Sequence, residues 1–349
     1  MPLSLIVNNY LGPVAPISTT PSGSRDWGQL PSQPVCKEEY KLSQQKNGFE
    51  HYPTIEEVDD WIDSLMDEAE VNSCTVEVLG RNSFSHHLGV HYASNEFRYV
   101  KFTPKQGTPF YGYWQPAWSQ PAPLLIHVPG YGAEMSTHPD LVQQGYHVLH
   151  ISPLGYTTPD GPNEALQVDG EWPVLPDTVS SGAKEGYRSW LLNCIQAINW
   201  AEELEGTVKG RLSFFGTSQG GGGALLLGSI FRDRGVRCVA ADVPFLTNFP
   251  LAAGRGAYAL TAPGFTKLQN PAAGWRSLGF IDTLSHVRRL TMPVLLTGGG
   301  EDLSTPADTI ESLFERLPGT RSYTMLQNTG HRYTREFMHL ASAWFRIYA

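Results

Sequence analysis

The chain of 349 residues is 41% hydrophobic and 17% charged, which provides for a large buried core and excludes a disordered chain. Its formal net charge is −9 and it has no long run of Lys or Arg, so we expect neither nucleic acid nor an anionic membrane as a partner. No stretch reaches the roughly 18 apolar residues of a membrane span, which argues against a transmembrane protein.

The cysteines and the first residues suggest a compartment. Cys36, Cys74, Cys194 and Cys238 are widely spaced and form no Cys-x-x-Cys pair, so we expect neither a disulfide framework nor a cysteine zinc site. The start lacks the basic region and the unbroken apolar run of a signal peptide. These observations predict a cytoplasmic protein.

The chain changes character near residue 50. Residues 1–50 are rich in Pro, Ser, Gly and Gln and predict an irregular arm, followed by a single domain over 51–349. From Thr54 to Ala69 apolar residues recur at helical spacing, and Thr54 with Glu57 three residues later forms a capping-box pattern. The alternating segments FRYVKFTP and PFYGYWQPA flank KQGT, which predicts a β-hairpin.

From residue 123 onward, apolar strand patterns alternate with helical ones. The strand patterns, most of which end in Gly, Pro or Asp, are PLLIHVPGYG, YHVLHISPLG, RLSFFGTSQGG, VRCVAADVPF, MPVLLTGGGED and RSYTMLQNTGH. This alternation predicts an α/β fold with a doubly wound, mostly parallel sheet and helices on both faces. Ligands of such sheets bind at the carboxyl ends of the strands.

A serine stands at one of these strand ends. Gly216 to Gly220 reads Gly-Thr-Ser-Gln-Gly, preceded by a strand pattern and followed by a helix pattern. Gly-x-Ser-x-Gly in that setting is typical of the nucleophile turn of the α/β-hydrolase fold, where flanking glycines relieve crowding at a strained serine. The absence of a following Lys and of Gly-x-Gly-x-x-Gly spacing disfavours a nucleotide-binding turn. Ser218 is therefore the candidate nucleophile.

A serine nucleophile needs a base and an acid, which in this fold follow it in the order acid, then His. Three histidines follow the serine, and His331, in the loop between the last strand and the last helix, is the candidate base; His286 and His339 lie in helical patterns. Asp302, at the end of the penultimate strand, is the candidate acid. Asp242, at the end of the preceding strand, is the alternative.

An acyl transfer enzyme also needs two N–H donors for the oxyanion. The residue after the nucleophile, Gln219, is expected to supply one donor. The loop after an early strand supplies the other in this fold, and here that loop is HVPGYG, with Tyr131 as the candidate.

Several segments together resemble one family. GTSQGGG, HVPGYG, CVAADVPFLTNF, FIDTLSHVRRLTMPVLLTGGGEDLSTP and YPTIEEVDDW are similar to the acetyl xylan esterase/cephalosporin-C deacetylase family, carbohydrate esterase family seven, over roughly residues 50–349. The resemblance implies Ser218, Asp302 and His331 as the triad, Tyr131 and Gln219 as oxyanion donors, and a homo-oligomer. It also implies a small-molecule ester substrate with a short acyl group, such as an acetylated sugar, and no cofactor.

The substrate pocket is the least determined part of the sequence. Among several aromatic residues in loop-like segments, Trp114 and Trp172 are the candidates for stacking on a sugar ring. His86, His87 and His91 lie close together, but Gly89 interrupts them and no carboxylate accompanies them, so no metal site is expected. A serine peptidase or thioesterase of the same fold and a non-catalytic binding protein remain alternatives.

Overall fold

One sheet runs through the part of the chain that the computed structural model describes, residues 48–84, 97–179 and 186–349. Its strands, in chain order, are β1 (Cys74–Leu79), β2 (Arg98–Pro104), β3 (Phe110–Gln115), β4 (Ala122–Val128), β5 (His147–Ser152), β6 (Thr207–Thr217), β7 (Val236–Asp242), β8 (Val294–Gly299) and β9 (Arg321–Leu326). They pair in the order β1-β2-β3-β5-β4-β6-β7-β8-β9. The pairs from β1 to β5 are antiparallel, and those from β5 to β9 are parallel.

The helices flank the sheet, and most of them lie in the connections between parallel strands. In chain order the α-helices of the described ranges are α1 (Ile55–Val71), α2 (Pro139–Gln143), α3 (Gly186–Glu202), α4 (Gln219–Ile230), α5 (Phe249–Ala252), α6 (Ala262–Lys267), α7 (Pro271–Gly279), α8 (Ala307–Arg316) and α9 (Arg335–Tyr348). Short 3-10 helices lie at Gly48–His51, Arg81–Phe84, Glu164–Leu166, Arg232–Arg234, Gly256–Thr261 and Val287–Arg289.

Two apolar layers cover the two faces of the sheet. The larger layer contains α1, α3 and α4, and the smaller one contains α2 and α9. Because side chains alternate across a strand, the adjacent residues Phe214 and Phe215 of β6 enter opposite layers, and both are fully buried. The predicted doubly wound, mostly parallel sheet with helices on both faces is therefore confirmed.

The local predictions for the first described elements are also confirmed. The Oγ1 of Thr54 accepts a hydrogen bond from the N–H of Glu57 at 3.3 Å, and the Glu57 carboxylate accepts one from the N–H of Thr54 at 2.8 Å. This capping box satisfies two N–H groups at the start of α1. Strands β2 and β3 form the predicted hairpin, with Phe102 opposite Phe110.

Two sequence predictions fall mostly on residues outside the described ranges. Of the irregular arm that the sequence predicts over residues 1–50, only 48–50 are described. Those residues begin a 3-10 turn, where a Cβ on Gly48 would lie 2.4 Å from the ring of Trp275, so the turn packs tightly against α7. The segment that holds His86, His87 and His91 also lies outside the described residues. The division at residue 50 stays a prediction.

Length and apolarity decide whether a helix can cross a bilayer. Within residues 48–84, 97–179 and 186–349, no helix is long and apolar enough to do so.

Candidate active site

Ser218 stands alone between β6, which ends at Thr217, and α4, which begins at Gln219. Its backbone has φ 61° and ψ −121°, a region that non-glycine residues occupy only where the surrounding structure imposes it. A Cβ on Gly216 would lie 2.5 Å from the backbone of Gly220, and one on Gly220 would lie 2.2 Å from the carbonyl oxygen of Val128. The glycines thus permit the tight turn that presents the serine hydroxyl.

The side chains of Ser218, His331 and Asp302 meet at the carboxyl ends of the strands. The Nε2 of His331 lies 2.7 Å from the Oγ of Ser218, and its Nδ1 lies 2.8 Å from the Oδ2 of Asp302. With the proton on Nδ1, the imidazole donates to the carboxylate, and its Nε2 accepts the serine proton. Three residues that are far apart in the sequence therefore form one line for proton transfer.

Asp302 is held by donors on both carboxylate oxygens. The N–H groups of Ser304 and Thr305 donate to its Oδ1 at 2.8 and 3.0 Å, and the Oγ1 of Thr305 donates to its Oδ2 at 2.8 Å. Burial alone raises the pKa of Asp302, but the hydrogen bonds from His331 and Thr305 outweigh it, so the pKa lies below its ordinary value. The carboxylate is therefore ionised at neutral pH and stabilises a protonated imidazole.

The alternative acid has other partners. Asp242, fully buried at the end of β7, accepts hydrogen bonds from the hydroxyls of Thr217 at 3.0 Å and Thr297 at 2.5 Å. Burial raises its pKa to about 6. The structure therefore places Asp302, and not Asp242, in hydrogen-bond contact with His331.

The other two histidines that follow the serine lie elsewhere. His286 is fully buried, with Nδ1 2.9 Å from the Oγ of Ser229 and Nε2 2.9 Å from the carbonyl oxygen of Phe280. His339 is exposed on α9. The structure thus brings only His331 of these three to the serine.

The serine opens into a cavity of about 810 Å³. Tyr131 and Gln219, the candidate oxyanion donors, both line it. Gln219 is the first residue of α4, and the first N–H groups of a helix have no acceptor within the helix. Its side chain is buried and accepts a hydrogen bond from the hydroxyl of Tyr156 at 3.0 Å, which fixes the position of this residue.

Comparison with known proteins assigns the family. The sequence pattern of the acetyl xylan esterase family matches residues 59–348. The chain belongs to this family. It is accordingly a carboxylic ester hydrolase of the acetylesterase type, as the sequence predicted.

Solved structures with the same fold include other esterases and a peptidase. An acetyl xylan esterase from Paenibacillus sp. is similar with a TM-score of 0.68 and 20% identity, over 88% of this chain and 99% of that chain. Acetyl xylan esterase 1 from Thermoanaerobacterium sp. has a TM-score of 0.67 and 20% identity, over 87% and 97% of the two chains. An acylaminoacyl peptidase from Pyrococcus horikoshii has a TM-score of 0.54 and 17% identity, over 77% and 43%. At these identities the likeness establishes the α/β-hydrolase fold.

The two tryptophans proposed to contact substrate have different positions in this esterase. Trp172 is nearly buried beside the cavity, packs edge-on against Tyr156 at 4.9 Å, and donates its backbone N–H to the hydroxyl of Tyr131 at 2.7 Å. That hydroxyl in turn donates to the carboxylate of Glu171. Trp172 thus supports Tyr131 and borders an adjoining cavity of about 480 Å³.

The prediction for Trp114 is wrong. This residue of β3 is only 3% exposed and belongs to the larger apolar layer, where it stacks on His147 at 4.9 Å and meets Trp200 edge-on at 5.9 Å. Its alternation along β3 turns the ring toward the core, so it lies away from the residues that line the active-site cavity.

Three buried histidines that no sequence pattern indicated, His127, His138 and His150, lie together in this esterase. Burial lowers the pKa of His138 to about 3 and the pKa of His127 well below its ordinary value, so both imidazoles are neutral. Spacings of 11 and 12 residues match no metal-binding pattern. The available signal was a histidine at the same place in two strand patterns of similar layout, PLLIHVPGYG and YHVLHISPLG.

Proposed function

We propose that Ser218, His331 and Asp302 form the catalytic triad of a serine ester hydrolase that works through an acyl-enzyme. The observation that carries this proposal is the position of His331, 2.7 Å from the serine hydroxyl and 2.8 Å from the aspartate. As the Oγ of Ser218 attacks the ester carbonyl, His331 takes the proton of this hydroxyl and then gives it to the leaving alcohol. Water repeats the cycle and releases the acid.

We propose the backbone N–H groups of Tyr131 and Gln219 as the oxyanion donors. The position of Gln219 at the start of α4 supports this role, because a helix N-terminus favours negative charge and its N–H groups are not used within the helix. Tyr131 faces the same cavity, and its side chain is anchored to Glu171 and the backbone of Trp172. That anchoring holds the loop in place before substrate arrives.

The proposed substrate is a small ester with a short acyl group, most simply an acetylated sugar. Family membership supports the acetyl group. A cavity of about 810 Å³ lies within the range of sites for small molecules and has room for a sugar ring beside the ester. Val174, Phe245 and Leu260 provide apolar surface in the same cavity as Ser218, which suits the methyl group of an acetyl ester.

Two further proposals concern partners and location. The net charge of −9 supports neither nucleic acid nor a membrane as a partner. The homo-oligomer implied by the resemblance is a proposal that light scattering would test.

We also propose a cytoplasmic location, supported by the free thiols of Cys74, Cys194 and Cys238. Fractionation of cells would test it, and recovery in a secreted fraction would refute it.

The function is tested with one serine variant and one matched control. Ser218→Ala should reduce kcat on p-nitrophenyl acetate by about 10³-fold or more, because it removes the nucleophile. Ser304 lines the same cavity and makes a matched control. The kcat of Ser304→Ala should stay within about threefold of the wild type, because Asp302 uses only the backbone N–H of this residue. Near-wild-type turnover by Ser218→Ala would refute the proposed mechanism.

A substrate panel then separates the alternatives. We expect hydrolysis of p-nitrophenyl esters to fall as the acyl chain lengthens, and acetylated xylose to be turned over. Faster cleavage of a peptide amide would favour a peptidase, and faster cleavage of an acetyl thioester would favour a thioesterase. No turnover of any member would indicate a binding protein.

A further inference from the structure

Three histidines converge from two strands and one loop beside the active site. In the parallel pair of β4 and β5, His127 lies directly opposite His150. The chain that leaves β4 turns back over the end of the sheet and brings His138 to the start of α2. The Nδ1 of His127 lies 2.7 Å from the Nδ1 of His150 and 2.8 Å from the Nε2 of His138.

The hydroxyl of Ser136 completes a four-cornered arrangement. Its Oγ lies 3.2 Å from the ring nitrogen of His127, 3.2 Å from that of His138 and 3.3 Å from that of His150. The three ring nitrogens lie within 4.8 Å of one another, and the oxygen stands above them at the apex of a pyramid, where a fourth ligand of one ion would lie. Three imidazoles with one oxygen position are a ligand arrangement that Zn²⁺ adopts.

We propose that His127, His138 and His150 bind one divalent transition-metal ion of the zinc type, with Ser136 or a water that it holds in the fourth position. Tetrahedral coordination with Zn–N bonds of about 2.0–2.1 Å separates the nitrogens by about 3.3 Å. The observed separations of 2.7 and 2.8 Å therefore open by about half an ångström when the ion enters.

The hydrogen bonds within the cluster show which of its nitrogens carry lone pairs. The Nδ1 of His150 accepts a hydrogen bond from the backbone N–H of Ser136 at 3.1 Å, so this nitrogen carries a lone pair and not a proton, and a bound ion takes the place of that hydrogen bond. The His127 Nδ1 then makes two short contacts with one proton: either its own N–H is shared between His138 and His150, or His138 donates to it and two lone pairs face each other at 2.7 Å. A metal ion in place of that proton accepts a lone pair from every ring.

The surroundings hold the rings in position. The ring of His127 stacks on Phe215 with centroids 4.6 Å apart, and the ring of His138 meets the same phenyl group edge-on at 5.0 Å. The side-chain carbonyl of Gln115 accepts the backbone N–H of His138 at 2.9 Å. Metal sites depend on this kind of support, because it fixes ligand orientation before the ion binds.

The ion would fasten the loop that carries Tyr131. His127 precedes this loop and His138 follows it, so a bond from one ion to both residues closes the loop against the sheet. Ser136, His127 and His150 line the same cavity as Ser218, which places the site next to the reaction centre. The consequence for Tyr131 rests on its proposed role as oxyanion donor, whereas binding of the ion does not.

The test uses the whole chain, freed of metal by dialysis against a chelator and titrated with Zn²⁺ against a chromophoric competitor. We expect one equivalent of zinc per chain with a Kd below about 1 μM, and intense visible bands typical of four-coordinate cobalt when Co²⁺ replaces zinc. His138→Gln should weaken zinc binding by at least about 100-fold. His339→Gln, which removes an exposed histidine outside the cluster, should bind as the wild type does.

Further measurements keep the result interpretable. Zinc should raise the Tm of the wild type but not that of His138→Gln, and circular dichroism checks that the variant folds. The cobalt spectrum of the wild type tests the site without any substitution, so it stays decisive even if His138→Gln does not fold. Ser218→Ala should keep full zinc affinity, so failure of the esterase mechanism and failure of the metal site are distinguishable. Absence of zinc binding by the wild type, or equal binding by His138→Gln, would overturn the proposal.

Discussion

Replacement of Asp302 by Asn tests how the structure selects one carboxylate over another. The Oδ1 of Asp302 accepts two backbone N–H groups, from Ser304 and Thr305, whereas its Oδ2 faces the Nδ1 of His331. In Asp302→Asn the amide oxygen stays with the two N–H donors, because an NH₂ group there would meet donors only. The NH₂ group then faces His331 and forces the proton onto Nε2.

An imidazole with its proton on Nε2 cannot accept the proton of Ser218. In other serine hydrolases, this error of tautomer lowers kcat by about 10⁴-fold. At about 1.4 kcal/mol for each factor of ten, the loss corresponds to about 5 kcal/mol of transition-state stabilisation. We expect kcat to fall by about 10³–10⁴-fold with little change in KM, because Asp302 acts through His331 and does not line the cavity.

The assay measures kcat and KM on p-nitrophenyl acetate for Asp302→Asn and for the matched variant Asp242→Asn. The second variant changes a carboxylate at the end of the adjacent strand, whose hydrogen-bond partners are threonine hydroxyls. The kcat of Asp242→Asn should stay within about tenfold of the wild type. More than a tenth of wild-type activity in a folded Asp302→Asn, or an equal loss in Asp242→Asn, would refute the assignment.

Further predictions concern stability and can be measured by urea unfolding. Gly220→Ala places a Cβ 2.2 Å from the backbone oxygen of Val128 and should lower the free energy of unfolding by several kcal/mol. In Gly80→Ala the nearest atom to the new Cβ is 3.9 Å away, so the free energy of unfolding should stay within about 0.5 kcal/mol of the wild type. Similar losses in the two variants would contradict the crowding argument. Burial raises the pKa of Asp242 to about 6 from 3.8, so its contribution to stability is complete below about pH 4 and is lost as pH rises through about 6. From pH 4 to 7 the wild type should therefore lose about 2 kcal/mol of unfolding free energy relative to Asp242→Asn, and parallel pH curves would disprove the shift. Thr54→Ala removes the capping hydrogen bond of α1 and should cost about 1 kcal/mol, and an unchanged unfolding midpoint would show that the cap contributes nothing.

Features encoded over short stretches were predictable from the sequence. The alternation of strand and helix patterns gave the doubly wound sheet, since period and turn residues are local properties of the chain. The same holds for the capping box at Thr54 and for the serine turn, where the positions of glycines report backbone crowding before any contact is known.

Features that depend on how distant segments meet were less accessible. Trp114 was proposed for the pocket because aromatic residues cluster around it in sequence, yet the side of β3 on which it lies buries it. Its burial follows from the pairing of β3 with β2 and β5, which a local pattern does not specify. The cluster of His127, His138 and His150 depends in the same way on the pairing of β4 with β5 and on the loop that returns to them.

By itself, the sequence determined the order of strands and helices, the glycine turn around Ser218, the residues offered as nucleophile and base, and two candidates for the acid. Only the tertiary structure decided between Asp302 and Asp242, because both end neighbouring strands and the choice depends on which carboxylate the loop of His331 reaches. It also decided that three histidines share one site beside the cavity. The physical reason is that hydrogen-bond geometry acts over about 3 Å in space, whereas sequence patterns report only what lies a few residues along the chain.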